Sequence, residues 1–113
     1  MPQPIPDAWR KDVIRILQTA DRRLIDWTLP ARQRWDADTF GEGWEAEAYD
    51  LMIAALQDSG VQGNETTSMP GQAGTYEFLF KYKSSPMYGK IALGKDRKRI
   101  LILSAHRAER PNL

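Results

Sequence analysis

The chain has no cysteine and a single histidine, His106. Without thiols there can be no disulfide, no cysteine-ligated zinc and no thiol redox chemistry. One imidazole among scattered carboxylates is a poor metal set, and HExxH, GxSxG and the Walker phosphate loop are all missing. No cofactor and no metal are expected. No run approaches the ~20 apolar residues of a membrane helix. The start, Met1-Pro2-Gln3-Pro4-Ile5-Pro6, lacks the basic and apolar regions of a signal peptide. A cytoplasmic protein with no membrane partner is therefore expected. Internal repeats and low-complexity segments are absent too. What remains is 113 residues, 42% hydrophobic and 27% charged, the profile of one globular domain over residues 1–113 with a flexible N-terminus over 1–6.

A formal net charge of +1 conceals an asymmetry. Residues 1–60 carry seven basic and eleven acidic side chains, net −4, whereas residues 61–113 carry nine and four, net +5. Asp36, Asp38, Glu42, Glu45, Glu47 and Asp50 fall in one stretch without a base, while nine bases lie between residues 81 and 110. Such polarity favours an anionic partner for the second half, unless both surfaces are merely solvated.

Periodicity divides the chain the same way. Trp9, Val13, Ile16, Leu17 and Ala20 recur at three- and four-residue steps behind Asp7, a candidate N-cap, which predicts a helix over 7–20. Leu24 to Thr28 reads as a short strand or extended link, with Thr28 capping a short helix whose first turn holds Pro30. Trp44, Ala48, Leu51, Met52, Ala55 and Leu56 predict a second long helix over 44–58, with Glu45 and Glu47 complementing its positive end. Residues 59–74, rich in glycine, serine and threonine, read as a long loop, a candidate flap beside a site. Tyr76, Phe78, Phe80 and Tyr82 then alternate with Glu77, Leu79, Lys81 and Lys83, Ser84-Ser85-Pro86 turns the chain, and strands follow over 87–93 and 99–106. The expected fold is α+β: two N-terminal helices packed on a C-terminal antiparallel sheet of three strands or slightly more.

Alternation also sorts the chemistry. Glu77, Lys81 and Lys83 share one face of their strand, Tyr88 and Lys90 share one face of the next, and Ser104 and His106 share one face of the last, with Arg107 just beyond. If the aromatic row covers the core, these groups converge on an open, cationic face. A metal-free protein with this set could cleave RNA through attack by the RNA's own 2′-hydroxyl. That reaction needs a base, a cation for the phosphoryl charge and an acid for the leaving oxygen. Glu77 or Tyr88 suits the base, Lys90 and Arg107 the charge, and His106 the acid; Lys81, Lys83, Arg97 and Arg99 are candidates for holding the RNA backbone.

Three segments, Tyr76-Glu77-Phe78-Leu79-Phe80-Lys81-Tyr82, Met87-Tyr88-Gly89-Lys90-Ile91-Ala92-Leu93 and Ile100-Leu101-Ile102-Leu103-Ser104-Ala105-His106-Arg107, resemble the strands of MqsR-like and RelE-like ribonuclease toxins of bacterial toxin–antitoxin systems. The resemblance implies a metal-independent endoribonuclease that cleaves mRNA, often at the ribosome, and is silenced by a cognate antitoxin protein. By position, Tyr88 and Lys90 match functional tyrosine and lysine positions of that family. His106-Arg107 departs from the Phe-Lys usual after the serine in MqsR-like proteins and is closer to the histidine-ended last strand of barnase-like nucleases. Two other classes compete with the enzyme. One is a non-catalytic regulator or inhibitor, encoded by a phage or mobile element, that binds nucleic acid or protein through the basic sheet. The other is a nucleic-acid mimic that uses the acidic stretch 36–50.

Overall fold

Alternating and helical periods place most elements, and packing closes the rest into one sheet. A computed structural model describes residues 2–66, 73–110 and 113. In chain order the elements are β1 (Gln3–Pro4), α1 (Asp7–Thr19), β2 (Ile25–Trp27), α2 (Leu29–Asp38), α3 (Glu45–Leu56), β3 (Gln62–Thr66), β4 (Thr75–Tyr82), β5 (Ser85–Leu93) and β6 (Ile100–Arg107). Six strands form one mixed sheet in the order β1-β3-β4-β5-β6-β2, antiparallel except where β2 runs parallel to β6. The expected α+β class holds, but the sheet has six strands and is mixed, where an antiparallel sheet of three or slightly more was expected, and the short helix behind Thr28 joins the two long ones as a third. No helix among the described residues is long and apolar enough to cross a membrane.

In α1 the predicted stripe of Trp9, Val13, Ile16 and Leu17 is buried. Pro6, not Asp7, occupies the cap position, and Ala20 ends the helix in the left-handed region, its N–H donating to the Leu17 carbonyl. In α2 the Thr28 hydroxyl accepts the Ala31 N–H at 3.2 Å and Pro30 lies in the first turn. Trp35 from α2 packs against Phe80 and Tyr82, so the aromatic row of β4 does face the helices. Phe78, Phe80, Met87, Ile91, Leu93, Ile100 and Ile102 complete that core.

The corrections at β1 and β3 share one cause: a strand with few apolar residues is visible only through its neighbour. Residues 62–66, read as part of the 59–74 loop, form β3, whose Asn64, Glu65 and Thr66 pair with Glu77, Tyr76 and Thr75. Residues 67–72 of that loop lie outside the described residues. The N-terminal segment expected to be flexible is docked, with Gln3 opposite Gly63, Pro4 opposite Gln62, and Ile5 2% exposed. The β4–β5 turn comes earlier than expected: Lys83 and Ser84, both at positive φ, form a two-residue hairpin loop, so Ser85 and Pro86 belong to β5.

Gly63 is where β1, β3 and β4 meet most tightly. A Cβ there would stand 2.2 Å from the Glu77 carbonyl oxygen and 2.9 Å from the Ile5 side chain. Gly63→Ala is therefore expected to push β3 off β4 and cost ~1–3 kcal/mol. The measurement is a lower urea midpoint at unchanged slope; an unshifted midpoint would mean that the edge yields freely.

Candidate functional site

The face of the sheet turned away from the helices carries two rows of side chains. Asn64, Glu77, Lys90 and Ser104 lie in register across β3, β4, β5 and β6; beside them Leu79, Tyr88 and His106 lie in register across β4, β5 and β6. An irregularity in β6 creates this alignment. Ile91 faces Ile102 but Lys90 faces Ser104, so Leu103 is an extra residue. Unbroken alternation from the buried Ile100 and Ile102 would turn Ser104 and His106 into the core. The bulge reverses that parity, buries Ala105 instead, and brings His106 onto the open face beside Tyr88.

Glu77, Tyr88 and His106 meet in an open cleft of about 370 Å³, also lined by Leu79, Ala108, Glu109, Arg110 and Leu113. Both oxygens of the Glu77 carboxylate are engaged: the Asn64 amide donates to Oε1 at 2.9 Å and the Tyr88 hydroxyl makes a short bond to Oε2. The His106 ring stacks on Tyr88, with centroids 5.1 Å apart and planes 28° from parallel. His106 Nδ1 lies 2.9 Å from the Arg107 carbonyl oxygen. A carbonyl can only accept, so Nδ1 carries the hydrogen and Nε2 is left to take up or release a proton. Burial, followed by the Glu77 carboxylate beside it, pushes the Tyr88 phenol well above the ordinary tyrosine range. Tyr88 is therefore a hydrogen-bond donor to Glu77 that fixes the orientation of its carboxylate.

The chain matches no family model, no curated protein and no solved structure. The likeness to MqsR-like and RelE-like toxins thus rests on the strand motifs alone, and the candidate residues stand on their own geometry.

The expected residues do not all converge. Lys90 is half-buried in the row next to the cleft, opposite Glu77 and Ser104. Arg107 pairs with Met87, a core residue, and so projects on the helix side; its backbone N–H donates to Asp38 Oδ2 at 2.7 Å. Lys83 sits in the hairpin loop and reaches Glu42 at 3.2 Å, a bond that raises its pKa. Arg97, in the β5–β6 connection, binds Asp12 of α1 at 2.6 Å. Arg99 is exposed in the same connection, remote in sequence register from Tyr88 and His106. Lys81 is exposed beyond Leu79, where it borders a separate hollow beneath α3. Of the expected cations only Lys90 stands in the row beside Glu77, Tyr88 and His106, while Lys83 and Arg97 are paired with Glu42 and Asp12 of the first half. Reading the strands alone misses Asn64 and Arg110: Asn64 lies in the segment read as loop, and Arg110 follows the last strand.

Proposed function

We propose that this chain is a small ribonuclease that cleaves RNA by attack of the substrate's own 2′-hydroxyl, in keeping with its likeness to toxin ribonucleases that act on mRNA and are held in check by an antitoxin. The observation that carries this reading is the meeting of Glu77, Tyr88 and His106 in one open cleft. Glu77 removes the 2′-hydroxyl proton, the oxygen attacks phosphorus, and the bond from phosphorus to the 5′-oxygen breaks. His106 supplies the proton that the departing oxygen needs, which leaves a 2′,3′-cyclic phosphate and a free 5′-hydroxyl. Each oxygen of Glu77 keeps a second lone pair after accepting from Asn64 or Tyr88, so orientation by these donors is compatible with proton removal. Lys90 and Arg110 are the nearest candidates for stabilising charge on the phosphoryl group. Incubation with end-labelled RNA in EDTA tests the proposal: fragments ending in cyclic phosphate are expected, and intact RNA at high protein concentration overturns it. Expression of the wild-type chain is likewise expected to arrest growth, with relief by Lys90→Ala.

A second reading, a non-catalytic regulator that binds nucleic acid or protein, draws support from the same carboxylate, since two donors on Glu77 also suit a purely structural group. It predicts binding that weakens steeply with salt and yields no fragments.

A further inference from the structure

The α2–α3 turn, residues 39–44, presents two large aromatic side chains to solvent: Phe40 is 81% exposed and Trp44 79%. Phe40 adopts φ +55°, a left-handed conformation that bulky residues rarely take, and Gly41 follows at φ +73°. The turn around them is firmly held. The Thr39 side chain is fully buried, and its hydroxyl donates to the Trp35 carbonyl at 2.7 Å and accepts the Gly43 N–H at 3.1 Å. Trp35 Nε1 donates to the Gly43 carbonyl at 3.0 Å. An anchored turn that holds a phenylalanine in a disfavoured backbone conformation, only to leave its ring in water, gains nothing within the chain. Trp44 also forms one wall of a groove of about 450 Å³ between α2 and the turn, with Trp35, Gln33 and Asp36.

Charge says what would cover this surface. Residues 29–50 carry six carboxylates against Arg32 and Arg34. Arg32 is taken by Glu45, and Arg34 lies between Asp38 and Glu109. Among the described residues Asp36, Glu47 and Asp50 have no ion-pair partner. Asp36 lines the groove, and Glu47 and Asp50 follow Trp44 at three-residue steps along α3.

We propose that the Phe40–Trp44 turn and its groove dock a basic amphipathic segment of another protein, whose apolar side chains cover the two rings while its lysines or arginines meet Asp36, Glu47 and Asp50. Exposed aromatic anchors within a charged rim are the arrangement that concentrates binding energy. This inference does not depend on the ribonuclease reading, since the surface uses none of Glu77, Tyr88 and His106.

The test uses a fluorescent synthetic 18-residue helical peptide with leucines at one face and lysines elsewhere, and its counterpart with glutamates in place of lysines, titrated with the full chain. The lysine peptide is expected to bind and the glutamate peptide not to. Trp44→Ala and the charge reversal Asp36→Lys/Glu47→Lys are each expected to weaken binding about tenfold or more. Phe40→Gly is expected to lose binding while its melting temperature stays level or rises, because glycine accepts the left-handed conformation freely. Equal binding of both peptides, or unchanged binding by Trp44→Ala, overturns the proposal. Sedimentation of the chain alone is the remaining check: a dimer dispersed by Trp44→Ala would assign the surface to a second copy and overturn it as well.

Discussion

His106→Ala is expected to slow RNA cleavage about 10²–10⁴-fold, the usual worth of one proton-transfer group. In the proposed reaction the loss falls on the departure of the 5′-oxygen, which without Nε2 must draw its proton from water. Glu77→Gln is expected to cost a similar factor, since the amide keeps the shape of the carboxylate, with its oxygen accepting from Asn64 and its NH2 donating to the Tyr88 hydroxyl oxygen, but takes up no proton. Tyr88→Phe removes only the bond that orients Glu77 and is expected to cost less, about tenfold. All three side chains lie on the face away from the core, so melting temperatures are expected to stay within a few degrees of wild type. Single-turnover cleavage of a short labelled RNA separates these outcomes. If His106→Ala cleaves at the wild-type rate, the assignment of the acid fails; if all three do, the cleft is not where cleavage occurs.

Arg10→Ala is expected to be the most damaging single substitution to stability, at about 3–5 kcal/mol. Arg10 is only 8% exposed and joins three parts of the fold. Nη1 donates to the Leu56 carbonyl at 2.8 Å, at the C-terminal end of α3; Nε donates to the Ile5 carbonyl at 3.3 Å, just after β1; and Nη2 pairs with Asp7 at the start of α1. Removing it leaves two buried carbonyls without their donor, at ~1–3 kcal/mol each, and a void where the aliphatic stem had packed. The positive charge at the end of α3 also complements that helix dipole. Asp7 is mostly exposed and can turn to water, so no charge is stranded. At roughly 4 °C per kcal/mol for a domain of this size, melting should fall by at least ~12 °C. Arg10→Lys is expected to recover part of this, because an ammonium can reach one carbonyl but not bridge both. A fall of under about 4 °C for Arg10→Ala would show that β1 and the end of α3 are held by apolar contacts alone.

The helices α1, α2 and α3 and the strands β4, β5 and β6 are legible along the chain because their signals are local: a 3.6-residue stripe from Trp9 to Leu17, the Thr28 cap, the acidic first turn at Glu45 and Glu47, and alternation from Tyr76 to Tyr82. The same alternation correctly puts Tyr88 with Lys90, and Ser104 with His106. Strands β1 and β3 have no such signal. Gln3–Pro4 and Gln62–Thr66 contain no apolar row, and become strands because the edge of β4 offers unpaired N–H and C=O groups to β3, and the outer edge of β3 offers them in turn to β1.

The site is divided in the same way. Which residues share a face of one strand follows from the two-residue repeat, so the membership of Glu77, Tyr88 and His106 is readable in advance. Which face they share across strands depends on register, and one bulge at Leu103 decides that His106 meets Tyr88 instead of the core. Charge behaves alike. The division into −4 and +5 halves is a property of the chain, but folding lays Asp12 on Arg97, Glu42 on Lys83 and Asp38 on the Arg107 backbone. Side-chain types and local periods belong to the linear order of residues; pairings between residues 41 to 85 positions apart depend on how helices and strands pack, and that packing leaves an open cleft where composition suggested a broad cationic face.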